Sequence, residues 1–137
     1  MPKLIALLLL ALSALSIGTL VSGTSYSEWL LPGGLPLGNA LAAAGLCFLA
    51  GAAFLLSPPS SIRRRVCRAA LVSAILWLPV SIALAGNLEL NFSGSRGTAW
   101  LVASSVTAIA VLSSLLWAAA GLLFGSSGKS SSIRAAG

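Results

Sequence analysis

The chain has 137 residues, of which 58% are hydrophobic and only 7% charged, with a mean hydropathy of +1.02. A domain of this size has too much surface for its volume to hide such a composition from water, which excludes an ordinary soluble domain and points to lipid as the solvent. The net charge of +6 would suit a nucleic-acid binder, but Lys3, Arg63, Arg64, Arg65, Arg68, Lys129 and Arg134 flank long apolar runs rather than line a folded basic face, so no nucleic-acid partner is expected.

The first apolar run covers about residues 4–21. With Lys3 before it and Ser22, Gly23, Thr24 and Ser25 after it, the run shares features with a secretory signal, but its uninterrupted apolar length favours a first spanning helix. Tyr26, Glu28 and Trp29 then lead into Pro32-Gly33-Gly34-Leu35-Pro36, a combination that breaks any helix and places aromatic rings suited to the headgroup level. Pro36 stands where proline is favoured, beside the first turn of the next helix.

A second span is predicted over about residues 37–56, ended by Ser57-Pro58-Pro59, because successive prolines cannot continue a helical hydrogen-bond ladder. Arg63, Arg64 and Arg65 follow, and a third span is predicted over about residues 66–85 with Arg68 in its first turn, able to snorkel to the headgroups. In the linker after Gly86, the alternation Leu88-Glu89-Leu90-Asn91-Phe92 predicts a brief extended segment, and Asn91-Phe92-Ser93 is a weak glycosylation sequon. A fourth span covers about residues 99–124. The Ser/Gly-rich stretch 126–137 is expected to be a flexible cytoplasmic tail beyond a transmembrane domain of residues 1–125.

The predicted fold is thus an all-α membrane protein, a four-transmembrane-helix bundle with short loops. With four crossings, seven of the eight basic residues fall on the side shared by the two termini and the 57–65 linker, and Arg96, Glu28 and Glu89 on the other. Lys and Arg in short loops are retained in the cytoplasm, so both termini are expected there, and the bacterial inner membrane is the expected location. For Arg63, Arg64, Arg65 and Arg68 this topological role is favoured, with anionic lipid as a second reading.

The inventory excludes much chemistry. There is no histidine, so no metal site, cofactor or imidazole-dependent triad is expected. Inside the spans there is no Asp, Glu, Lys or His, no Asn beyond Asn39, and no Arg beyond Arg68, which removes the buried ionisable groups that proton-coupled carriers use. An enzyme is not expected. Cys47 and Cys67 are read as packing residues rather than a disulfide.

What remains are contact faces. Small residues repeat at Ala43, Cys47 and Gly51 in the second span and at Ala110, Ser114 and Ala118 in the fourth, with Thr107 near the latter stripe. In the third span Ser73, Trp77 and Ser81 share a face around Pro79, which predicts a kink and a buried indole in search of a partner. These features lead to a non-catalytic accessory or assembly subunit packed against a larger membrane complex. The alternative is self-association into a channel or carrier for a neutral or weakly hydrated solute.

Overall fold

The computed structural model describes residues 1–23 and 25–124, so the tail expected over 126–137 lies outside the described residues. In chain order come α1 (Pro2–Val21), a short 3-10 turn (Ser25–Glu28), α2 (Leu37–Leu56), α3 (Ile62–Ala85) and α4 (Ser95–Phe124). All four long helices are long and apolar enough to cross a membrane. Among the described residues there is no strand, only an isolated bridge between Leu30 and Pro36.

Local chemistry explains the helix ends. Helix α2 begins after Pro36, whose φ of −59° and ψ of 136° turn the chain into the helix, and stops where Ser57 becomes extended ahead of Pro58. At the start of α3 the Ser61 hydroxyl accepts the Arg64 N–H at 3.1 Å. At its end Gly86 adopts the left-handed conformation (φ 75°), and its N–H donates to the Ile82 carbonyl at 2.8 Å.

Helices α3 and α4 both start ahead of the apolar boundaries at 66 and 99, and at α3 the Ser61 cap carries the helix into the polar sequence. Arg63, Arg64 and Arg65 therefore belong to the first turn of α3, and Arg68 to the second rather than the first. The extended segment expected after Gly86 is instead a turn. Asn87 Oδ1 accepts the Asn91 N–H at 3.0 Å, and Leu90 takes a φ of 58°, so local side-chain bonding overrides the alternation.

Helix α2 is the centre of the molecule, with no exposed residue from Leu37 to Leu56. Helix α1 packs almost wholly against α2, whereas α2, α3 and α4 all touch one another. Leu9 lies beside Gly51 and Ile17 beside Gly45, so α1 and α2 run antiparallel. The interior is made of small side chains: Ala50, Ala70 and Ala74 with Val111 in one cluster, and Ala53, Cys67 and Ala118 in a second. Large residues such as Leu4, Leu7, Leu15, Leu116 and Leu123 point outward.

Candidate functional site at the seam of α3 and α4

Serine and tryptophan at four-residue spacing on α3 meet a matching stripe on α4. The Ser73 and Thr107 hydroxyls are 3.0 Å apart. One turn further along α3, the Trp77 indole donates to the Ser104 hydroxyl at 2.8 Å. Beyond that, the Trp100 indole donates to Ser81 Oγ at 3.0 Å, while Ser81 itself donates to the Trp77 carbonyl at 2.6 Å. Because the helices are antiparallel, the three pairs form a ladder up one seam. In an apolar surrounding each pair satisfies donors that would otherwise be orphaned.

Pro79 stands exposed beside this ladder, and α3 runs through it as a helix from Ile62 to Ala85. The Ser73 hydroxyl is engaged across the seam with Thr107.

The small-residue stripe of α4 lies inside: Ser114 and Ala118 are buried and Ala110 borders the Val111 cluster. Buried Cys67 donates weakly to the Ser114 carbonyl (3.8 Å) and lies 3.2 Å from the Ser57 hydroxyl, and both cysteines are free. On α2 the expected stripe divides between two neighbours. Cys47 borders the α3/α4 cluster, a Cβ on Gly51 would meet Leu9 of α1 at 3.3 Å, and Ala43 is half-buried. A helix enclosed on every side has no single contact face.

The α1 contact instead centres on Gly45, where an added Cβ would meet Ile17 at 3.0 Å and where the carbonyl accepts the Ser13 hydroxyl at 3.0 Å. Sequence reasoning missed Gly45, Ser13 and Ser104. Two serines in an otherwise leucine-rich helix, and a polar stripe on α4 complementary to that on α3, were the available signals.

The four arginines divide into two kinds. Arg63 lays its guanidinium against Gly121, 5.8 Å from the Trp117 ring centre, and its buried Nε has no hydrogen-bond partner. Arg64 stacks 4.2 Å over Phe54 and donates to the Ser57 carbonyl at 3.2 Å. Arg65 and Arg68 are exposed, and neither guanidinium is engaged by another described residue.

Those two arginines share a groove of about 680 Å³ that runs along α3 and α4 over Val72, Leu76 and Val106, with the ladder as its floor. They also line a second depression of about 360 Å³ with Pro59, Ser60, Ser61 and Arg64. At the opposite end of the molecule, Ser27, Asn39 and Glu89 border a hollow of about 510 Å³ against Trp77 and Trp100. Asn39 there donates to the Leu88 carbonyl at 3.1 Å and ties the linker to α2. Among the described residues no group of His, Cys, Asp and Glu is placed to hold a metal ion.

No protein-family model, curated protein or solved structure matches the chain.

Proposed function

We propose that the chain is a multi-pass membrane protein with both termini and the arginine cluster in the cytoplasm, in the bacterial inner membrane, where it acts as a non-catalytic accessory or assembly subunit of a larger membrane complex. Membrane insertion is supported by the inverted distribution of side chains: alanines fill the interior while leucines cover the outside. In water that arrangement would forfeit most of the hydrophobic driving force. In lipid it is the expected one, because close packing by small residues holds helices together and leucine is at home in the acyl chains.

The observation that carries the accessory role is the use made of the polar groups. The buried Ser13, Ser57, Ser81 and Thr107 each reach a group on another helix, and Ser16 and Ser114 bond carbonyls of their own helix, so every buried hydroxyl is engaged within the chain. Together with spans free of acidic groups, this favours a scaffold over a transporter. Affinity purification in mild detergent should recover one larger membrane complex whose assembled amount falls when this chain is deleted and returns when it is restored. Recovery as a lone species, with no complex altered by the deletion, refutes the role.

The alternative, a self-associated channel or carrier for a neutral solute, draws on the open α3/α4 groove, which two facing copies could close into a conduit. Flux into liposomes holding only this protein would favour it.

A further inference from the structure

The arginine cluster has a division of labour that charge counting does not reveal. Arg63 is spent on Gly121 and Trp117, and Arg64 on Phe54 and Ser57. Arg65 and Arg68, a single turn apart on α3, remain without a described counter-ion. Both acidic side chains, Glu28 and Glu89, lie in the two linkers at the far end of the helices, so no carboxylate among the described residues is placed to neutralise them.

We propose that Arg65 and Arg68 hold the phosphate of one anionic phospholipid whose acyl chain lies in the groove between α3 and α4. Three features converge on this occupant. Charge complementarity comes first: two unpaired guanidiniums on adjacent turns match the oxygens of a phosphate, which arginine recognises by forked hydrogen bonding. The shape is that of an amphiphile. The polar depression at Ser60, Ser61 and Arg64 adjoins the apolar groove, and Arg65 and Arg68 belong to both, so head and tail sites are continuous.

Dimensions also fit. From Arg68 to Val80 is a rise of about 18 Å at ~1.5 Å per residue, close to the ~15 Å of one leaflet. A phosphate at the arginines thus leaves its chain alongside Val72, Leu76 and Val106. A free anion would use the depression alone and leave the groove without a role. This inference rests on the membrane-spanning reading and is independent of the accessory role.

The test is native mass spectrometry of the full-length chain, released from detergent micelles after titration with phosphatidylglycerol, with phosphatidylcholine of the same acyl chains, or with inorganic phosphate. One saturable phosphatidylglycerol adduct is expected, favoured over phosphatidylcholine by roughly 30-fold, since each basic residue near a membrane surface contributes about fivefold. The double substitution Arg65→Gln, Arg68→Gln should erase that preference, while Arg96→Gln at the far end keeps it.

Because the double variant could misfold, Leu76→Trp, which fills the groove without touching charge, should weaken the phosphatidylglycerol adduct while Arg65 and Arg68 remain. Equal retention of the two lipids, an undiminished adduct in the double variant, or full competition by inorganic phosphate would overturn the proposal. A chain that stays monodisperse in water without detergent would overturn the membrane reading as well, before lipid is added.

Discussion

Substituting Gly45 should detach α1 while leaving the other three helices assembled. The Gly45 position is closed: a Cβ would stand 3.0 Å from Ile17 Cγ1, 3.5 Å from Ile17 Cδ1 and 3.7 Å from Ser16 Cβ. Ile17 is partly exposed and can yield to one methyl, so Gly45→Ala should cost under about 1 kcal/mol. Gly45→Leu cannot be accommodated that way, and overpacking of this kind costs about 1–3 kcal/mol. Displacing α1 also breaks the bond from Ser13 to the Gly45 carbonyl, worth about 0.6 kcal/mol on average in a membrane protein.

The sum, about 2–4 kcal/mol, shifts the docking equilibrium by roughly 30-fold to several hundred-fold. Since α1 packs almost wholly against α2, little else holds it in place. Nitroxide labels at Leu4→Cys and Ile62→Cys, in a Cys47→Ala, Cys67→Ala background, report the distance from α1 to α3 by pulsed electron resonance. A narrow distribution should become broad in Gly45→Leu and stay narrow in Gly18→Leu, because a Cβ on Gly18 meets nothing within 4 Å. A narrow distribution in Gly45→Leu, or equal broadening in Gly18→Leu, would refute the reasoning.

Trp77→Phe and Ser104→Ala should be coupled in a double-mutant cycle of SDS-induced unfolding by about 0.5–1.7 kcal/mol, whereas Trp77→Phe with Ser13→Ala should be additive. Arg64→Lys keeps the charge but loses stacking on Phe54, so the unfolding midpoint should fall by an amount equivalent to about 0.5–1 kcal/mol. Gly121→Ala displaces only the far end of a flexible side chain, so stability should change little while Trp117 fluorescence shifts as Arg63 leaves its ring.

Much of the fold was legible because it depends on local properties. The helix α2 occupies 37–56, bounded by Pro36 on one side and Ser57-Pro58 on the other, and proline acts through its own ring whatever the neighbours do. The starts of α3 and α4 were less legible, since hydrophobicity marks where a helix meets an apolar medium and not where its hydrogen bonds begin. The alternation at 88–92 misled because Asn87 can bond its own backbone, a competition that a two-residue pattern does not encode.

In the candidate site the same divide appears. The residues Ser73, Trp77 and Ser81 share a face by helix geometry alone, but their partners Thr107, Ser104 and Trp100 depend on the register of α4 against α3. The Arg63–Arg68 cluster reads as four equivalent charges until Phe54, Ser57, Trp117 and Gly121 are brought beside it from α2, its end and α4.

By itself the sequence determined four apolar helices and the gathering of positive charge toward one end, because transfer of a long apolar run from water is set by its own length and composition. Only the tertiary structure decided that α2 is central, that α1 packs almost wholly against it, and that two arginines of four have no side-chain partner among the described residues. Alanine and glycine are so frequent that several packing faces are nearly equal in energy, and the choice among them is made by the fit of all the helices at once.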